Sequence, residues 1–369
     1  MDSNELKDII EKSTKPSSIY AKSILRENIS SQVVHLFTSI SFLLYATVKL
    51  INEFSKNTPL GIKISTLTYD RCIIIANFLF STSLFATILL YKYKGPIYVE
   101  YINYFQSSIK NGSCGLAQAS YVNKWQKINR FIIILQLLIR ITMRFFEYYA
   151  NPFHLTYNYI DIILSYMCEL GLILEQQFIY ETCIYLQSNF IFFHFFLDSL
   201  TKKVNESPGV DVYHVIKLVR HMHSHTIEFT RRIDPFFRLT VFNTFGFLSV
   251  YSICIIGMLS ATDQTISQIL ILIGRATYFA TLIFVTSYHF ARVNYLSMQI
   301  CNTVHGFTLS PNLARSIDTM NEINLFLLRI SRDDVGFTFA GLCVVSVNFI
   351  SSLAIITLTI GLALPGIFK

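Results

Sequence analysis

Seven stretches of the chain are apolar over about 20 residues, the length a helix needs to cross the hydrocarbon core of a bilayer. They fall at 33–51, 71–91, 130–150, 157–180, 239–262, 266–290 and 336–364. The fourth pattern runs on to about Leu200, longer than one crossing, so its far end is expected to project from the membrane as a packed helix. Two further segments have the helical period without the continuous apolarity. From 210 to 233, Val212, Val215, Ile216 and Val219 share one face, while His214, His221, His225, Glu228 and Arg232 share the other. From 311 to 334, Leu313, Ile317, Met320 and Leu327 form a similar stripe ahead of the last span. The pattern predicts an all-α, polytopic membrane protein with seven transmembrane helices.

Composition sharpens that picture. Of 369 residues, 52% are hydrophobic, 15% aromatic and only 14% charged, and mean hydropathy is +0.46. A soluble domain carries about 25% charged residues, so a water-soluble enzyme and a nucleic-acid-binding protein are both excluded as leading readings. The net charge of +7 belongs to membrane orientation. With the N-terminus inside, the segments 1–32, 92–130, 202–238 and 292–332 hold 22 Lys/Arg and the outer side holds five. That bias predicts a cytoplasmic N-terminus and an extracellular C-terminus. The sequons at Asn28, Asn111 and Asn205 then fall inside, where they are not glycosylated. Residues 1–32 are too long and polar for a cleaved signal peptide, and are expected as a cytoplasmic segment. A membrane domain over 33–364 follows, with intracellular helical extensions at about 181–235 and 293–335, and 365–369 as a short extracellular tail.

Candidate chemistry is sparse. Seven cysteines form no CxxC or other metal-spaced pair, and His221 and His225 lack a neighbouring third ligand, so neither a metal nor another cofactor is expected. No acid or histidine in the spans has nucleophile-and-base spacing, which argues against an enzyme. Charges inside a bilayer cost roughly 2.5–3.5 kcal/mol each and persist where paired or wetted. Arg275 lies about nine residues into the sixth span, roughly 13 Å deep. Glu147 and Asp161 sit near the outer ends of the third and fourth spans, with Tyr157, Tyr159 and Tyr278 close by in sequence. These six residues are the candidate lining of an outer pocket for a small polar-aromatic ligand; a structural Arg275–Asp161 or Arg275–Glu147 pair is the alternative. In the last span, Asn348, Ser352, Thr359 and Ala363 share one helix face, either lining a pore or packing tightly on another helix.

At these residues the chain resembles the insect gustatory receptors. Gly336-Phe337-Thr338-Phe339-Ala340-Gly341-Leu342 is similar to the F-T-x-x-G-L that opens that family's seventh helix. Leu218-Val219-Arg220-His221-Met222-His223 resembles its inner L-R-x-L-H segment. Arg232-Ile233-Asp234-Pro235-Phe236-Phe237 follows at the family's spacing, with Asp234 where Asn is usual, and Phe190 to Leu200 matches the Phe-rich inner end of the fourth helix. The family's closing Thr-Tyr, five hydrophobics, Gln-Phe is met here by Thr359-Ile360 and Gly366-Ile367, a departure that bears on conductance and ion selectivity. The resemblance implies a plasma-membrane tetramer in sensory neurons, homomeric or shared with other gustatory receptors. It implies a ligand-gated non-selective cation channel with seventh helices around the pore, gated by a soluble tastant of the bitter or an undefined class. An insect odorant receptor shares the topology and is the alternative. A G-protein-coupled receptor would have its N-terminus outside, against the charge bias, and a transporter would show matched halves that this chain lacks.

Overall fold

The computed structural model describes residues 13–55, 69–111, 115–150, 159–206, 212–259, 266–308, 316–332 and 334–367. Among them a short α1 (Ile19–Ile24) leads into α2 (Ile29–Ser55), α3 (Tyr69–Tyr93), α4 (Gly95–Asn111) and α5 (Gly115–Ala150). Then come α6 (Tyr159–Glu206), α7 (Val212–Leu259), α8 (Ile266–Thr308), α9 (Ile317–Ile330), the two-residue strands β1 (Thr338–Phe339) and β2 (Cys343–Val344), and α10 (Val347–Ile367). The spans expected in the first six positions are α2, α3, α5, α6, α7 and α8. Four of these, α2, α3, α7 and α8, are long and apolar enough to cross unaided; α5 and α6 carry charges that need partners.

The tertiary structure merges what the sequence separates. The amphipathic segment 210–233 and the span 239–262 are one helix of 48 residues, α7, continuous through Pro235. A proline inside a helix removes one donor and crowds the preceding turn. Here Lys94 Nζ donates to the Pro235 carbonyl at 2.9 Å, occupying that oxygen from α3's end. The fourth span likewise runs unbroken from 159 to 206 as α6.

Two expectations are corrected. The stretch 336–364 is not one helix. Its first eleven residues fold as a hairpin, in which Thr338 pairs with Val344 and Phe339 with Cys343, and α10 starts only at Val347. Gly336 (φ 147°), Ala340 (φ 53°) and Gly341 (φ 76°) adopt left-handed backbone that a helix cannot contain. The α9 stripe is shifted: Thr319, Ile323, Phe326 and Ile330 are buried and Leu327 packs partly buried on the core, whereas Ile317 is 78% exposed and Met320 38%; Leu313 lies outside the described residues. A helix with two apolar stripes can turn only one of them to its own chain.

The core lies in the Lys/Arg-rich half of the bundle, and it is aromatic. Phe178 of α6 sits among Tyr20, Tyr91, Tyr98 and Phe237, with ring centroids 5.0 to 6.4 Å away. A hydrogen bond at the polar end of such a ring offsets part of the cost of burying it. Tyr20 and Tyr91 have one, through Thr38, and through Glu175 (3.2 Å) with Thr240. Before α1, the Glu181 carboxylate accepts the backbone N–H of Ser17 (2.5 Å) and Ser18 (2.9 Å), tying residues 17–18 to α6. Close approach of α6 to α2 depends on Gly171, where an added Cβ would stand 2.7 Å from the buried Phe42 ring.

His223 of α7 is enclosed by the edges of Phe193 (5.5 Å) and Phe326 (5.3 Å), and neither ring nitrogen has a partner. Burial, reinforced by Arg329 of α9 and His194 of α6, pulls its pKa down to about 3. The folded state therefore holds His223 neutral while the unfolded chain protonates near 6.5. Stability is complete above that value and falls as the pH drops through the window down to about 3, by up to about 1.4 kcal/mol per pH unit. The purified protein is expected to show this acid slope in thermal melts, and His223→Leu to lessen it; an unchanged slope would contradict the assignment.

Candidate functional site

In the half of the bundle away from the basic end, a second apolar cluster joins α5, α7 and α8: Met143, Leu248, Tyr251, Cys254, Ile255, Tyr278, Phe279 and Leu282. Phe80 of α3 adds a ring stacked 3.7 Å from Phe247, and Tyr251 lies 4.0 Å from Phe279. Four helices thus contribute to one aromatic-rich, Met-containing cluster, the composition that small-molecule sites favour.

Its border is charged. Arg140 of α5 donates to Glu169 of α6 at 2.5 Å, and its guanidinium carbon lies 5.2 Å from the Tyr278 ring centre. Each of Arg140, Glu169 and Tyr278 stands about ten to twelve residues, roughly 15–18 Å, from the end of its helix. Matched depth lets one ion pair satisfy both charges within the bilayer, so α5 and α6 can span despite them.

This bears on the six expected pocket residues. Tyr278 is buried in the cluster. Arg275, one turn earlier on α8, is half-buried. Tyr157 and the side chains of Glu147, Tyr159 and Asp161 lie outside the described residues. Sequence reasoning placed Arg275 at the centre, but the pair packed on Tyr278 is Arg140–Glu169. The signal was present: both are in-span charges equally far from their helix ends.

The second element is α10. It packs on α7 through Phe349, Ile350, Leu353, Thr357 and Gly361, and a Cβ at Gly361 would meet Ile256 of α7 at 3.0–3.1 Å. Asn348, Ser352, Thr359 and Ala363 are all exposed on the side turned away from α7. Leu358, outside that stripe, is itself 52% exposed.

The hairpin fixes the start of α10. Asp234 of α7, buried, accepts from Thr338 N–H (2.6 Å), Thr338 Oγ1–H (2.8–2.9 Å) and Arg238 (2.9 Å). Arg238 crosses Gly341, where a Cβ would come within 3.1 Å of the guanidinium. Asn294 of α8 donates to the Val335 carbonyl, and Arg231 pairs with Asp334. The sequence marked Asp234 only as a departure from Asn; its role as the hairpin's acceptor comes from a residue 104 positions away.

Known proteins share this architecture. The olfactory receptor OR5 of Machilis hrabei, solved in complex with eugenol, superposes with a TM-score of 0.67 over 100% of both chains at 13% identity. A second structure of OR5 gives 0.62 over 91% of this chain and 89% of that one, at 12% identity. No family sequence pattern and no curated protein sequence matches. The chain therefore has the all-α, polytopic membrane fold of an insect olfactory receptor.

Proposed function

We propose that the protein is a chemoreceptor of this fold: a ligand-gated cation channel of the plasma membrane, whose α10 helices surround the ion path in a tetramer. One observation carries the reading, the end-to-end superposition on a receptor solved with a small aromatic ligand. The exposed polar stripe Asn348, Ser352, Thr359 and Ala363 supports it, because a helix packed on one side only leaves that stripe for an aqueous path or a neighbouring subunit. The ligand site is the cluster around Tyr251, Tyr278 and Phe279, bordered by Arg140; Arg275, Glu147, Tyr157, Tyr159 and Asp161 remain its candidates from the sequence. The two superposed structures are of one olfactory receptor, OR5, which favours an odorant over a tastant as the natural ligand class. Resemblance of the 336–342 stretch to gustatory receptors supports the second reading. The 22-to-five Lys/Arg bias supports a cytoplasmic N-terminus, with Lys369 extracellular.

The test is expression in a cell lacking chemoreceptors, with an N-terminal epitope tag and current recording under a panel of volatile and non-volatile aromatics. Expected are tag staining only after permeabilisation and unitary current steps evoked by a panel member. Robust surface protein with no unitary current under any ligand overturns the channel reading.

A further inference from the structure

Where α5 and α8 meet at the basic end of the bundle, their seam carries positive charge with no acid to answer it. Met143 faces Gly274 and Trp125 faces Arg292, so the two helices run antiparallel and bring Lys124 and Arg292 to one level. Both border apolar stretches, Lys124 just before 130–150 and Arg292 just after 266–290. The Arg292 guanidinium carbon stands 5.2 Å from the Trp125 ring centre and 5.4 Å from that of Tyr288. Its Nε donates to the Tyr121 hydroxyl at 3.3 Å and its Nη1 to the Tyr288 hydroxyl at 2.5 Å. A guanidinium has five N–H donors, and the other three have no partner among the described residues. Behind the seam Tyr121 meets an amide, donating to Gln187 of α6 at 2.9 Å. No aspartate or glutamate occurs in α8, and none in α5 before Glu147 at its other end. Lys124 is exposed and, like Arg292, forms no ion pair among the described residues.

The surface beside these cations is apolar. On α5, Lys124, Phe131 and Leu135 share one side at steps of seven and four; on α8, Phe284, Tyr288 and Tyr295 share one at steps of four and seven. In an antiparallel pair those two sides border the same groove, which opens away from α6. Phe131 and Phe284 are 67% and 72% exposed, and stand about 10–12 Å from the level of Lys124 and Arg292 towards the membrane centre. Charge at one end of a groove and bare rings along the rest is the complement of a charged amphiphile. We propose that the α5/α8 groove binds an anionic phospholipid of the leaflet on the Lys/Arg-rich side, with Arg292 and Lys124 on its phosphate and Phe131 and Phe284 along its acyl chains. Arginine meets phosphate through paired N–H donors, and the two tyrosines hold Arg292 in place beforehand. A zwitterionic headgroup carries its own cation and leaves the seam uncompensated, whereas a net negative one neutralises it. Free phosphate would satisfy the cations and leave the rings uncovered. Trp125 and Tyr288 stand at the depth where tryptophan and tyrosine gather in membrane proteins.

Trp125 is the chain's single tryptophan, so the site carries its own reporter. The full-length protein is reconstituted in phosphatidylcholine vesicles holding a small, equal fraction of phosphatidylglycerol or phosphatidylcholine labelled with a nitroxide near the top of one acyl chain. Labelled phosphatidylglycerol is expected to quench Trp125 several-fold more strongly than labelled phosphatidylcholine, and excess inorganic phosphate should not reverse it. Lys124→Gln should weaken that preference about fivefold, the effect of one basic side chain at an anionic surface. Arg292→Gln should abolish it; if that variant fails to fold, the exposed Lys124 still decides. Arg130 is also exposed but faces away from the seam, so Arg130→Gln should leave the preference intact. An equal loss in Arg130→Gln and Lys124→Gln would mean bulk surface charge and no site. Equal quenching by the two lipids, quenching by neither because protein covers the groove, or displacement by inorganic phosphate each overturns the inference.

Discussion

Replacement of Thr359 or Ser352 by cysteine is expected to leave a functional channel that loses most of its ligand-evoked current when a water-soluble methanethiosulfonate is applied. The stripe they share with Asn348 and Ala363 is exposed along α10, while Leu353, Thr357 and Gly361 are turned to α7. A thiol in an aqueous path reacts as thiolate at bulk-like rates; a thiol wedged between helices is shielded from both water and reagent. Leu353→Cys and Thr357→Cys are the controls and should be inert. Fast block through Leu353→Cys with no effect at Thr359→Cys would show that α10 presents its other face to the ions. The absent Tyr and Gln of the gustatory signature, replaced here by Ile360 and Gly366, leave Thr359 as the polar side chain near that end of the stripe. Thr359→Ala is therefore the variant in which ion selectivity should be measured.

Truncating Asp234 should have the largest effect on the fold itself. Its carboxylate is the shared acceptor for the Thr338 amide, the Thr338 hydroxyl and Arg238. Asp234→Ala strands the amide in a site that water reaches poorly, at a cost on the order of 2–3 kcal/mol. Arg238 is 44% exposed and can rehydrate, so its loss adds little. Asp234→Asn keeps an acceptor for the amide and gives up only the charge, so it should cost a fraction of the alanine change. Thermal melts followed by fluorescence-detected size exclusion should rank wild type, Asp234→Asn and Asp234→Ala in that order. Because the hairpin sets where α10 begins, the alanine variant should also lose surface protein. Equal melting of all three would mean that the hairpin is held by Asn294 and Arg231 alone.

The two halves of the site were legible to different degrees. Apolar runs of bilayer length located six of the seven spans, since hydrophobic length is a one-dimensional property. The stripe on α10 was readable because residues at steps of four and seven share a face whatever packs around them. The pairing of Arg140 with Glu169 was not read, although both charges stood out. Each lay in its own helix at an equal depth, and only helix rotation and neighbour order decide which acid an arginine meets. The same holds for α9, whose buried face takes in Leu327 of the expected stripe but not Ile317 or Met320.

What the sequence by itself determined is therefore the class of molecule: helical, membrane-spanning and oriented by its lysines and arginines, with a polar stripe on its last helix. Each follows from local composition and period, which need no partner. Tertiary structure alone decided that 336–346 turns as a hairpin, because Asp234 supplies from 104 residues away the acceptor that makes an extended Thr338 stable. It alone decided which face of α9 is buried and that Arg140 meets Glu169. Those outcomes depend on what stands opposite a side chain, and spacing along one chain does not encode its neighbours.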